Sequence, residues 1–143
     1  MLHLKPLDAS DLPLVEPWFD DAETQRWLGG REWPALGFGL QGPDRQLYLA
    51  LDETTPVGLL DCETYPDNSA SFAVVTASGL RNRGIGRAIL SAFMAEPAYS
   101  HITRFFAGIE RGNVASAALM LRCGFVEGEE DEDGFTDFEY RRS

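Results

Sequence analysis

The sequence predicts a mixed α/β fold: a mostly antiparallel central sheet of about six to seven strands, helices on both faces, and one parallel step at its centre. Three observations carry this. Apolar segments at residues 46–51, 57–63 and 71–76 follow one another closely, and Asp52-Glu53-Thr54-Thr55-Pro56 separates the first two as a hairpin turn. Two helical periods then each follow a strand, the order that a parallel crossover requires. Finally, Phe125-Val126 and residues 135–140 flank an acidic turn as a closing hairpin.

The elements are read in order as follows. Leu2, Leu4 and Pro6 alternate with polar residues and open the chain as a strand. Asp8, Ser10 and Asp11 offer helix caps before Leu12, Leu14, Val15, Trp18 and Phe19, with Pro17 expected to bend or shorten that helix. A short helix over residues 23–28 stops at Gly29-Gly30, and the aperiodic stretch to Pro43 completes a helix-loop lid. After the meander, Ile85, Ile89, Leu90, Phe93 and Met94 form one helical face that ends at Glu96-Pro97. Residues 103–109 are apolar enough for a central strand. Gly112-Asn113 opens the next helix and Cys123-Gly124 closes it with a glycine cap.

Length and composition narrow the function classes. A chain of 143 residues is read as one domain, 1–143, long enough to bury about two-thirds of its unfolded surface. With 12 Lys+Arg against 23 Asp+Glu, a net charge of -11, it lacks the broad basic surface that nucleic acid requires and suits a cationic partner instead. No apolar run approaches the ~18 residues of a membrane span, and the opening residues have no signal-peptide pattern, so a cytoplasmic protein without membrane attachment is expected. Cys62 and Cys123 make neither a disulfide framework nor a metal-ligand spacing, and no metal is expected. Neither cysteine has a helix-start or histidine setting that would make it a nucleophile, and His3 and His101 read as surface or turn residues.

One segment concentrates the chemistry. Leu80-Arg81-Asn82-Arg83-Gly84-Ile85-Gly86-Arg87 joins a strand to an amphipathic helix, with two glycines where the backbone must approach a ligand closely. The free N–H groups and positive dipole end of that helix favour an anion, and three arginines in an acidic protein point to a polyphosphate or pyrophosphate. It is not a dinucleotide fingerprint, because Ile89 stands where the third glycine belongs. Nor is it a nucleotide P-loop, because Arg87 and Ala88 replace the Lys-Ser/Thr pair.

The pattern Arg81-x-x-Gly84-x-Gly86, followed by Asn113-Val114-Ala115-Ser116 and a helix ending in Gly124-Phe125, resembles the GNAT superfamily of acyl-CoA-dependent N-acetyltransferases. The likeness extends over almost the whole chain. The Asn-x-x-Ser form and the opening segment with Lys5-Pro6-Leu7-Asp8, Pro17-Trp18 and Arg26-Trp27-Leu28 are similar to the branch of ribosomal-protein N-terminal and aminoglycoside acetyltransferases. The resemblance implies acetyl-CoA as cosubstrate. It implies main-chain pairing of the pantetheine arm with Val74, Val75 and Thr76. The diphosphate would lie within Arg81, Asn82, Arg83, Gly84, Ile85, Gly86 and Arg87, and Asn113 and Ser116 would touch the far side of the arm. Asn113 reads equally well as a plain helix cap.

The implied reaction is direct transfer of acetyl to a primary amine of a small cationic molecule or a protein N-terminus, through a ternary complex. An alkyl ammonium is less than ~0.1% neutral at pH 7, so a proton must leave first. Many relatives hold a carboxylate and a tyrosine where this chain has Gly108 and Met120. The base candidates are then Glu63 and Asp61, on one face of a strand, and Glu110, with a water chain to backbone carbonyls as the alternative. Trp18, Phe19, Trp27 and Trp33 are candidate walls of the acceptor pocket. The cluster Glu127, Glu129, Glu130, Asp131, Glu132 and Asp133 is either an acceptor-attracting rim or a solvated turn. A homodimer remains an open alternative, as does a non-catalytic acyl-CoA-binding sensor that has lost its acid-base groups, or a plain structural domain.

Overall fold

The computed structural model describes residues 1–142. Its seven strands form one sheet: β1 (Leu2–Pro6), β2 (Arg45–Asp52), β3 (Thr55–Thr64), β4 (Ser69–Thr76), β5 (Arg104–Glu110), β6 (Val126–Glu130) and β7 (Phe135–Arg141), in the order β1-β2-β3-β4-β5-β7-β6. Every neighbouring pair is antiparallel except β4 with β5. The parallel step requires a crossover, which α4 (Ile85–Ala95) supplies, and α5 (Val114–Arg122) follows β5.

Three short helices, α1 (Leu12–Val15), α2 (Ala22–Trp27) and α3 (Trp33–Gly39), precede β2. Pro17 does shorten the first helix: α1 passes at Glu16 into a 3-10 turn that ends at Phe19. The stretch before Pro43 is more regular than its sequence suggests, because Pro34 fits the first turn of α3 and Gly37 lets that helix close on Leu47. A Cβ on Gly37 would stand 3.3 Å from the Leu47 methyls.

Strand alternation sorts the interior into two cores. Leu60, Cys62, Ala70, Phe105, Ala107 and Phe138 face α4 and α5, together with Ile89, Leu90 and Phe93 of α4. Leu47, Leu49, Leu59 and Val75 face the α1–α3 side, with Val15, Trp18 and Phe19. Gly58 sets how closely α4 lies on the sheet: a Cβ there would come within 2.5 Å of the Val75 carbonyl and 2.6 Å of Ile89 Cδ1. That close approach aligns the start of α4 with the end of β4, which is what the site below needs.

His3 and His101 are exposed. Cys62 is buried against the Tyr99 hydroxyl at 3.2 Å, and burial pushes its thiol up to about 11, so it is a packing residue. No helix among the described residues is long and apolar enough to cross a membrane.

Candidate functional site

β4 and β5 are hydrogen-bonded only from Ser69↔Arg104 to Ser71↔Phe106. Beyond that row they part, and a cavity of about 560 Å³ fills the fork. Residues 72–76 form one wall and 107–110 the other. The β4 edge facing the fork has no strand partner past Ser71, so its outward main-chain groups are available to an extended ligand.

At the open end of the fork the chain turns through the glycine segment. Asn82 and Gly84 adopt left-handed conformations with φ of 63° and 77°. Among the described residues, no N–H from Arg81 through Arg87 donates to another backbone group, and the first such donor is Ala88, to the Gly84 carbonyl. A concave run of free amides therefore adjoins the positive end of α4. The two glycines serve different ends. A Cβ on Gly84 meets nothing within 4 Å, so that position faces open cavity, whereas one on Gly86 would press Leu119 of α5 at 3.0 Å.

The three arginines do not act together. Arg87 lines the cavity and Arg83 does not. Arg81 lines it too, but its Nη2 donates to Asp21 Oδ2 at 2.9 Å and to the Thr24 hydroxyl. Burial works to raise the Asp21 carboxyl, but hydrogen bonds from Thr24 and Arg81 outweigh it and hold the group below the usual carboxylate range. Asp21 is also the N-cap of α2, accepting from the Thr24 N–H at 2.9 Å. Arg81 thus fastens α2 to the glycine segment.

Fastened in this way, α2 roofs the cavity with Glu23, Thr24, Trp27 and Leu28. Trp27 Nε1 donates to Glu23 Oε1 at 2.9 Å, and the Arg26 guanidinium lies 4.4 Å over the Trp27 ring. The roof reaches the loop after β5, where a Cβ on Gly112 would be 3.5 Å from Trp27. Of the four aromatic wall candidates only Trp27 lines the cavity. Trp18 and Phe19 are buried in the α1–α3 core, and Trp33 stacks on Phe19 with centroids 5.3 Å apart, so helical spacing marked core here.

Asn113, Ser116 and Met120 of the α5 region line the opposite side. Asn113 caps α5, its Oδ1 accepting from the Ser116 N–H at 3.4 Å, while remaining in the cavity wall. Val74, Val75, Thr76, Asn82 and Ile85 line it as well.

The three carboxylates expected near the chemistry separate. Glu110 lines the cavity. Asp61 does not: both its oxygens are held by Arg45, at 3.1 and 2.7 Å, with only 11% of its side chain exposed. Its oxygens are thus occupied by the guanidinium rather than presented to the cavity. Glu63 does share that strand face but stands beside Ser71, in the row where β4 and β5 are still closed. The acidic hairpin residues are exposed and do not line the cavity. Asp131 ties the turn by accepting from the N–H groups of Asp133 and Phe135, and Glu130 pairs with Arg111 at 2.9 Å. Phe135 is the residue of this hairpin that reaches the cavity, and together with Glu23 and Thr24 it had no local signal in the sequence.

The family model for the acetyltransferase (GNAT) domain matches residues 1–126. A Bacillus subtilis (strain 168) protein, Uncharacterized N-acetyltransferase YfmK, is 28% identical over 133 residues, covering 87% of this chain and 86% of its own length. Among solved structures, an acetyltransferase from Thermus thermophilus superposes with a TM-score of 0.83 at 23% identity, covering 99% of this chain and 97% of that one. The aminoglycoside acetyltransferase AAC(6')-Ib in complex with coenzyme A gives 0.82 at 15% identity, over 99% and 95% of the two chains. The Campylobacter jejuni N-acetyltransferase PseH in complex with acetyl coenzyme A gives 0.76 at 17% identity, over 100% of both.

Proposed function

The chain belongs to the GNAT acetyltransferase family, and from that premise we propose that it transfers acetyl from acetyl-CoA directly to a primary amine of a small cationic molecule or a protein N-terminus. The observation that carries this reading is the fork between β4 and β5 with the unpaired amides of residues 81–87 at its mouth.

The residues fit the cosubstrate in both shape and donor chemistry. The diphosphate lies against the free N–H groups of residues 81–87, with Arg87 as the charged side chain and Arg81 shared with Asp21. The pantetheine arm extends along Val74, Val75 and Thr76 as an added strand, with Asn113 and Ser116 across from it. When bound, acetyl-CoA supplies the activated acetyl group. The chain orients that group, excludes water beneath α2, and strips a proton from the amine.

Acidic and aromatic groups at the acceptor end favour a cation. Glu23 and Glu110 line the cavity together with Trp27 and Phe135.

A second reading, a non-catalytic acyl-CoA sensor, draws on Gly108 and Met120, neither of which exchanges protons. One experiment separates the two: thiol release from acetyl-CoA against a panel of polyamines, aminoglycosides and peptides with free N-termini, alongside calorimetry of acetyl-CoA binding. Amine-dependent thiol release supports the transferase. Tight binding with no release on any amine supports the sensor.

A further inference from the structure

The proton that must leave the acceptor ammonium still lacks a destination. Resting on the placement of acetyl-CoA in the fork, we propose that Asp137 of β7 is the carboxylate that receives it. Asp137 stands directly opposite Gly108 in the β5–β7 ladder. A Cβ on Gly108 would lie 3.5 Å from Asp137 Oδ1 and 3.9 Å from the Phe135 ring. The carboxylate therefore leans over the glycine, at the edge of the space that a side chain at 108 would occupy. That space is part of the cavity wall, because Gly108 lines it just above the point where β4 and β5 part.

The face is also right for an incoming amine. Ala107 and Phe138 are buried toward α4 and α5, so alternation turns Gly108 and Asp137 to the α1–α3 side, the opposite face of the sheet from α4. An arm that starts at residues 81–87 and runs down β4 brings its thioester toward the fork, beside Ala73 and Gly108. Asp137 does not itself line the cavity; it stands behind Gly108, and the missing side chain at 108 is what leaves a passage between that thioester and the carboxylate.

The other carboxylates of this face are committed or displaced. Asp61 is held by Arg45, and Glu139 by Arg104 and Arg141. Glu63 lies beside the closed row at Ser71, and Glu23 accepts from Trp27. Glu110 sits two residues nearer the mouth, about 7 Å along the strand. Asp137 has no cationic partner among the described residues, so its oxygens remain available.

The step balances as follows. The ammonium gives one proton to Asp137, which later releases it to water. The freed nitrogen lone pair forms a C–N bond to the acetyl carbon, the C–S bond breaks, and the thiolate leaves. The thiolate takes the second proton that the nitrogen loses, giving the amide and free CoA.

The test uses the full chain with Asp137→Asn, a near-isosteric change at an exposed position, and with Asp137→Asn combined with Gly108→Glu. For the best amine on the panel, Asp137→Asn lowers kcat about 100-fold or more, while calorimetric affinity for CoA and the melting temperature stay at the wild-type values. Gly108→Glu, whose carboxylate starts from the same space, restores about tenfold or more of the lost rate. A kcat for Asp137→Asn near wild type overturns the assignment, as does a loss that parallels an equal loss of CoA affinity. Wild-type protein that binds CoA but acetylates no amine overturns the assignment and leaves the cofactor site standing. Failure of the wild type to bind CoA at all overturns the underlying placement instead.

Discussion

The two sides of the fork are built on different principles. The side formed by β4, the glycine segment and α4 presents main-chain groups: a strand edge without a partner and a run of free amides from residue 81 to 87. The side formed by α2, β5 and β7 presents side chains, among them Glu23, Trp27, Glu110 and Phe135, drawn from three separate elements of the chain. A backbone cradle accepts any ligand with the right diphosphate and amide geometry, whereas a side-chain wall can be redrawn one residue at a time. The difference predicts that cofactor affinity tolerates most substitutions outside the glycines, and that acceptor choice resides in α2 and β7.

The largest effect that would sharpen this contrast is on the cradle. Gly84→Asp places a negative side chain where the cavity is now open, at a φ of 77° that L residues resist. CoA affinity measured by calorimetry falls at least ~100-fold, equivalent to about 2.7 kcal/mol, while the fold survives. Retained affinity would remove the diphosphate from this loop.

Next in size is Asp61, which is held by Arg45 and does not line the cavity. Asp61→Asn leaves the part-buried Arg45 guanidinium without its counter-charge and costs about 2 kcal/mol of stability by chemical denaturation. At a temperature where the variant is folded, its specific activity per folded molecule equals wild type. A selective loss of kcat would return Asp61 to the reaction.

Trp27→Ala then separates the two walls. Removing the aromatic roof raises KM for the amine by about tenfold, a cost of about 1.4 kcal/mol, with KM for acetyl-CoA unchanged. Equal changes in both would mean that α2 serves the cofactor as much as the acceptor.

The smallest effect is at the seam where the two sides meet. Arg81→Ala frees the α2 cap from the glycine segment, and because this pair is about two-fifths exposed the stability loss is below about 1 kcal/mol. Amine KM rises by more than acetyl-CoA KM, since what is lost is the anchoring of the roof. The reverse order would show that Arg81 serves the diphosphate first.

The same contrast explains how much the sequence revealed. A backbone site is local, so Gly84, Gly86 and the cap Asn113 stand in contiguous strings whose turn and helix chemistry can be read directly, although the cap Asp21 of α2 is not picked out in this way. The meander and the parallel step follow from the spacing of apolar segments in the same way, whereas the insertion of β7 between β5 and β6 does not. The acceptor wall depends on register instead. That Asp137 stands opposite Gly108 is fixed by how β7 pairs with β5, after a shift in the β6–β7 ladder between Glu127 and Glu130 that no local pattern announces. The pairing of Asp61 is hidden for a related reason: its partner Arg45 lies on another strand, two positions out of register, and only the folded sheet makes them a pair. Trp18, Phe19 and Trp33 look like a binding wall because core and pocket use the same residue types. The second role of Arg81 is likewise not legible, because sequence proximity to Arg83 and Arg87 hides its contact with Asp21 of the α2 cap.

The central claim is that main-chain amides grip the diphosphate. It is tested most directly by a two-dimensional amide NMR titration of the uniformly nitrogen-labelled chain with CoA. The largest shifts and the strongest protection from exchange are expected on the N–H groups of residues 81–87, with a second group along 73–76. A saturating titration that leaves residues 81–87 unmoved while shifting signals elsewhere would contradict it.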